Sequence, residues 1–324
     1  RGPAVLLAGG GLAGLYAVTT NPNRIRGQML GMAARAGAVI RDAEFVQFHP
    51  TAIDTGEDPA PLATEALRGE GATLVNAEGV RFMLAMDASA ELAPRDIVAR
   101  GVFSEWQAGR RPMLDARSIH DLAKQFPTVF AACQRAGIDP VRQPIPVTAA
   151  AHYHMGGIAV DAAGRSSLPG LWVAGEAACT GLHGGNRLAS NGLLEALVMG
   201  RAAGLDIAAS VPKMQAAAAV TLTGDAPPVD PARVARLRGL MTAHVGVIRD
   251  QACLRAALAG VAALEPGAPL ALLNMLTAAR MITTAALMRQ ESRGAHCRSD
   301  FPGQLPPTSS RLTLSDALSW KEPA

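Results

Sequence analysis

The chain reads as an α/β protein whose last third is helical, and three stretches predict it. Residues 4–14, AVLLAGGGLAG, are an apolar strand running into a glycine turn. Residues 168–195 repeat that theme: LPGLWVAGE, a small-residue loop, and a helix that starts after Asn191 and runs to about Ser210. Beyond Pro231, the segments VARLRGLMTAHVGVI, CLRAALAGVAAL and LALLNMLTAARMITTAALMRQES carry apolar residues three and four apart, the period of helices that bury one face. At 324 residues the chain can hold two or more domains with cores of their own.

Composition narrows the function classes. A hydrophobic share of 49% suits extensive burial, and aromatics at 4% leave little for stacking on nucleic acid bases. The net charge is +3 and the arginines are scattered, so neither a nucleic acid nor a membrane surface is an expected partner. A soluble enzyme suits these values better. Cys133, Cys179, Cys253 and Cys297 lie far apart without a C-x-x-C pair. That spacing suggests neither zinc nor a disulfide framework, and reduced thiols in a cytoplasmic setting are the expectation. No uninterrupted run approaches the ~18 apolar residues of a membrane span, and no secretory leader pattern is present.

Taken in order, the chain opens on an ambiguous turn. Gly9, Gly11 and Gly14 have the G-x-G-x-x-G spacing of a dinucleotide fingerprint, but the acid that should close the next strand is missing from residues 30–40. Two readings stay open here: a degenerate fingerprint, or a later strand and glycine turn of a nucleotide domain. A small-residue helix is predicted over Met29–Ala38. The run VIRDAEFVQFHPTA then alternates Phe45, Gln47 and His49 as on a strand, which Pro50 is expected to end. Thr64, Glu65, Arg68 and Glu70 crowd around Gly69 and Gly71, as an ionic lattice or as solvated charges. Arg95 follows Pro94 at a helix start, with Asp96 in the first turn where an acid favours the helix dipole. A strand at Met113–Asp115 and an amphipathic helix over Ile119–Ala136 come next. His152 and His154, two apart on a strand, point the same way, but no third ligand lies nearby in sequence, so a metal site is not expected. Pro227, Pro228 and Pro231 mark a boundary before the final helices.

The chemistry concentrates at residues 180–195, TGLHGGNRLASNGLLE. The first-turn N–H groups after Asn191 have no intrahelical partners, and the helix dipole favours an anion there. Gly184, Gly185 and Gly192 allow close backbone approach, and Arg187 adds a planar fork suited to a carboxylate or phosphate. The bland alternative is a surface loop that caps a helix.

Six segments, QFHPTA, TEALRGEGA, APRDIVAR, HYHMGG, GLHGGNRLASNGLLE and ESRGAHCRSDFP, occur in an order and spacing that resemble the succinate dehydrogenase and fumarate reductase flavoprotein family, most closely its L-aspartate oxidase branch. The likeness covers nearly the whole chain from Gly9 to Pro302. It implies a partial FAD-binding, Rossmann-like α/β domain over residues 1–41 and 158–210. An α+β capping domain over 42–157 and a C-terminal helical domain over 225–324 are implied with it. Gly9 and Gly10 fall in a later turn of the flavin domain, so about the first third of a family member, true fingerprint included, is expected to be absent.

The same resemblance implies roles for single residues. His49, Thr64, His152, Arg187 and Ser190 match positions that bind a C4 dicarboxylate. Arg95 matches the arginine that transfers a proton, with Glu65 and Asp96 as candidate acidic partners, and Glu65 is also the acid best placed in sequence to greet an α-amino group. Glu176 matches the acid that holds the flavin's sugar-alcohol chain; Gly192 and Leu193 match backbone near its ring. Gln28 stands where the family has a cofactor-contacting Asp, and Met155 where the closest oxidases more often have Cys. The implied reaction is oxidation of L-aspartate to iminoaspartate with non-covalent FAD, reoxidised by oxygen or fumarate, the product passing to quinolinate synthase for NAD biosynthesis. A dehydrogenase or fumarate reductase flavoprotein subunit is the alternative, and a flavin-free inactive fragment is another. Without the fingerprint the chain is expected to hold FAD weakly or not at all.

Overall fold

The computed structural model describes residues 2–210 and 228–321. Pro227 of the expected boundary lies outside the described residues. In chain order the first elements are strand β1 (Val5–Leu7), helix α1 (Gln28–Arg35), strands β2 (Ile40–Arg41) and β3 (Val46–Ile53), helix α2 (Glu65–Gly69), strand β4 (Thr73–Val75) and helix α3 (Arg95–Gln107). Strand β5 (Met113–Asp115), helices α4 (Leu122–Gln125) and α5 (Pro127–Arg135), and strands β6 (Ile145–His154), β7 (Gly157–Ala159), β8 (Leu171–Val173) and β9 (Ala178–Cys179) follow. Last come helices α6 (Asn191–Ser210), α7 (Pro231–His244), α8 (Gln251–Ala263) and α9 (Leu270–Met288), strand β10 (Arg311–Leu312) and helix α10 (Leu314–Ser319).

By compactness the chain divides into two units. The first comprises Arg1–Ala17, Arg24–Val46 and Tyr153–Ala324; the second comprises Val18–Asn23 and Gln47–His152. The C-terminal helices, expected as a domain of their own, therefore group with the first unit. The capping segment expected over 42–157 corresponds to a second unit that is shorter at both ends and includes residues 18–23.

In the first unit β1 pairs in parallel with β8, and a second sheet runs β10-β2-β7-β9. Its helical part is organised by α9, whose Leu276, Ala278 and Ile282 are fully buried. By length and composition α9 could cross a membrane, although Asn274, Thr277 and Arg280 interrupt its apolar run. In the fold, 78% of its most apolar window is buried, as in a core helix. Asp230 and Asp250 cap α7 and α8, each accepting a backbone N–H of the first turn at 2.8 Å.

The second unit is built on the sheet β3-β6-β5-β4, packed on a core that includes Ile53, Leu67, Leu74, Val98, Val102 and Leu114. Pro50 does not end its strand, because β3 lies at the sheet's edge, where a missing N–H costs no ladder bond. The segment 61–63 covers that edge: Ile53 N–H donates to Pro61 O at 2.7 Å and Ala63 N–H to Thr51 O at 2.9 Å. The single helix expected over Ile119–Ala136 is instead two, α4 and α5, since Pro127 has no N–H to continue the first and starts the second. The predicted helix at Met29–Ala38 ends earlier, at Arg35, where Gly37 turns the chain with φ +94°. The glycines after β1 lead into a three-residue 3₁₀ turn, Ala13–Leu15, and not into the long helix that a fingerprint opens.

Candidate active site

The fold sorts the candidate residues into two sets. His49, Thr64, Glu65, Arg95 and His152 belong to the second unit; Gly9, Gly10, Gln28, Glu176, Arg187, Ser190, Gly192 and Leu193 belong to the first.

In the second unit, β3 is buried along its whole length, so its polar side chains must find partners inside. His49 Nδ1 accepts the Thr51 N–H at 3.2 Å, which places the neutral ring's proton on Nε2. The His49 and His152 rings meet edge to face with centroids 5.1 Å apart, and His152 Nδ1 lies 2.7 Å from the Thr20 hydroxyl. Thr64 is the N-cap of α2; its oxygen accepts the Ala66 N–H, so its own O–H is left to donate. Arg95, 8% exposed, starts α3 and uses its fork twice: Nε donates to Glu65 Oε2 at 2.7 Å and Nη1 to Gln47 Oε1 at 3.2 Å. The other Glu65 oxygen lies 3.9 Å from Arg68 Nη2. Burial pulls the Arg68 guanidinium below the usual arginine range, and Glu65 opposes that pull. Two of the charges crowded in residues 64–71 thus join Arg95 in a line, Arg95, Glu65, Arg68, whose carboxylate is its most exposed member.

The first unit holds Arg187 in a loop, residues 180–190, that is neither helix nor strand. Its guanidinium stands 4.1 Å over the Tyr153 ring, and its backbone N–H reaches Met155 Sδ at 3.1 Å. Met155, a departure from the oxidase pattern, thereby acquires a local task. Tyr153 OH is 3.2 Å from His183 Nε2, which pairs with Glu195 Oε2 at 2.7 Å; Thr180 donates to the other Glu195 oxygen. Burial raises the Glu195 carboxyl, but the bonds from His183 and Thr180 outweigh it and leave the group below its ordinary range. Thr180 and Glu195 also line a groove of about 650 Å³, whose apolar wall includes Leu182, Leu194 and Val198. Tyr153, His183 and Glu195 were not singled out in the sequence; an acid inside the apolar run NGLLEAL was the available signal for Glu195.

Glu176 follows β8. It accepts the His154 N–H at 2.9 Å, and burial pushes it up to about 7. It lies against bare backbone, since a Cβ on Gly11 would stand 2.1 Å from its Oε1. His154 is buried and neutral, held down to about 4 by burial, with its ring on Ala43 O at 3.0 Å. Ser190, exposed and left-handed with φ +68°, sits just before α6, Gly192 lies against Tyr153, and Leu193 is 82% exposed. The Gln28 amide donates to Ala271 O at 2.9 Å and accepts from Asn274 Nδ2 at 3.1 Å, so it ties α1 to α9.

Comparisons with known proteins give the chain's relatives. A family model described as FAD binding domain matches residues 1–193, and one described as fumarate reductase flavoprotein C-term matches 266–317. A chain of E. coli quinol fumarate reductase superposes with a TM-score of 0.80 at 29% identity, over 93% of this chain and 61% of that one. The L-aspartate oxidase of Caulobacter vibrioides is 55% identical over 94% of this chain, which spans 59% of that relative's length. With the L-aspartate oxidase of Rhodospirillum rubrum, identity is 52% over 74% of this chain and 89% of the relative. With the motif order, both matched models and identity of this level pointing one way, the chain belongs to the L-aspartate oxidase family of FAD-binding flavoproteins.

Proposed function

We propose that the chain carries substrate-binding and proton-handling groups for oxidation of L-aspartate to iminoaspartate. The observation that carries the reading is the line Arg95, Glu65, Arg68, in which a buried arginine fork is fixed by a carboxylate that a second arginine also touches. An arginine stays charged near neutral pH, so it can exchange a proton only when an adjacent base relays it. Glu65 is that base, and its engagement with Arg95 favours a proton-handling role over the reading of a substrate ammonium. In the second unit His49 and His152, with the Thr64 hydroxyl, offer N–H and O–H donors that suit a carboxylate. In the first unit Arg187, stacked on Tyr153, offers a planar fork that also suits a carboxylate.

The residues fit FAD. Glu176 presents a carboxyl group beside the bare Gly11 backbone, a surface that accepts hydrogen bonds from a polyhydroxyl chain, and the N-terminus of the long helix α6 suits electron-rich ring atoms. When bound, FAD supplies the two-electron acceptor for the hydride leaving the substrate Cα. The test is anaerobic mixing of the intact flavin-loaded protein with L-aspartate or succinate. Loss of the flavin absorption band with L-aspartate and not with succinate is the expected result. Bleaching by succinate alone would make the protein a dehydrogenase, and bleaching by neither would remove the proposal.

A further inference from the structure

We infer that the charge-dense turn after α9 seats the Arg187 loop, and that Gly294 is a positioning residue for Arg187. This rests on the reading of Arg187 as a carboxylate anchor. Ala295 N–H donates to Gly185 O at 2.8 Å. Gly294 is left-handed, with φ +54°, and a Cβ there would stand 2.2 Å from Gly185 O and 2.5 Å from its carbonyl carbon. Both atoms are backbone, so a methyl group could enter only by displacing the loop. On the loop's side, a Cβ at Gly185 would meet Phe45 Cε1 at 3.1 Å, which leaves little room for retreat in that direction. Arg187 lies two residues further on, so a shift of Gly185 passes to the guanidinium over Tyr153.

The seat itself is rigid. Arg293 and His296 close it with mutual backbone bonds of 2.8 and 3.0 Å. Ser292 Oγ accepts the Arg298 N–H at 2.8 Å, and its single O–H faces the carbonyls of Arg298 and Phe301 at 3.1 and 3.0 Å. Arg298, 1% exposed, grips Asp300 with two bonds of 2.7 Å and reaches Ala286 O near the end of α9 at 2.9 Å. Arg289 joins Glu291 at 2.6 Å and Glu44, and its guanidinium lies 4.9 Å over the Phe45 ring. Charge-assisted bonds of this density, buried together, fix a single geometry. That gives residues 291–300 a task the site description left open: they are a plate against which a loop with no helix or strand of its own is held.

The experiment is a double-mutant cycle on the intact flavin-loaded protein, reading the Kd of malonate by perturbation of the flavin spectrum. Arg187→Gln is expected to weaken malonate about tenfold to a hundredfold, and Gly294→Ala about tenfold. In the Arg187→Gln background, Gly294→Ala is expected to add less than about twofold, because its effect passes through Arg187. Full additivity would overturn the inference while leaving Arg187 an anchor. No effect of Arg187→Gln would remove the anchor reading, and the inference with it. Should Gly294→Ala not fold, amide hydrogen exchange in the unaltered protein decides: malonate is expected to slow exchange of the Ala295 N–H at least tenfold, and an unchanged rate would overturn the inference.

Discussion

The two units carry their charged groups on different supports. In the second, His49 stands on β3, His152 on β6, Glu65 on α2 and Arg95 on α3, so strand and helix geometry fixes where each side chain points. In the first, Arg187 stands in a loop flanked by left-handed Gly184 and Ser190, and it is held by Tyr153, Met155 and a turn more than a hundred residues away. Residues on regular elements are damaged chiefly by changing the residue itself. A loop anchor can also be damaged from a distance, through whatever it is seated upon.

The sharpest test of the first kind of support is Arg95→Lys. A point ammonium cannot reach Glu65 and Gln47 together as the fork does, so kcat of the intact enzyme is expected to fall about a hundredfold or more with a small change in KM. A raised KM with kcat intact would make Arg95 an anchor like Arg187 and erase the contrast. Glu65→Gln follows, with losses of about tenfold to a hundredfold expected in both L-aspartate oxidation and fumarate reduction. Steady-state assays in the two directions check it; a loss confined to L-aspartate would return Glu65 to the reading of the amine.

Distance effects come next in size. Tyr153→Leu removes the ring beneath Arg187 without touching the arginine, and is expected to weaken malonate about threefold to thirtyfold. Calorimetric titration reads this directly, and unchanged affinity would show that the loop holds Arg187 unaided. Glu176→Gln tests the flavin side through stability. Because burial holds Glu176 up to about 7 against an ordinary 4.5, its stabilising contribution is full below pH 4.5 and is lost as pH rises through 7. Substitution is expected to raise Tm by roughly 2–4 °C at pH 8 and leave it nearly unchanged at pH 4.5. Equal shifts at both pH values would mean that the carboxyl is not so buried. Smallest is Gln28→Ala, expected to cost about 1 kcal/mol of stability in a denaturant titration with FAD affinity unchanged. A loss of FAD affinity there would place Gln28 at the cofactor site.

Helices were largely legible in the sequence because their apolar period survives without tertiary information. The α7, α8 and α9 segments were readable in this way, and so was the start of α3 after Pro94. Where the reading failed, a neighbour decided. Pro50 stays in β3 because that strand is at an edge, and an edge is a property of the whole sheet.

For the site, the sequence determined which residue types were available and in what order: an arginine in a glycine loop, a second arginine at a helix start, two histidines on a strand, and a charge-dense close to an apolar helix. Those follow from local chemistry, since backbone freedom, capping and hydrophobic period act over a few residues. Only the tertiary structure decided the partners. Glu65 belongs to Arg95 and Arg68, Gln28 to α9, Met155 to the Arg187 backbone, and Gly294 to Gly185. Hydrogen bonds and close contacts act over a few ångströms of space, and the chain brings residues 185 and 294 that close only by folding.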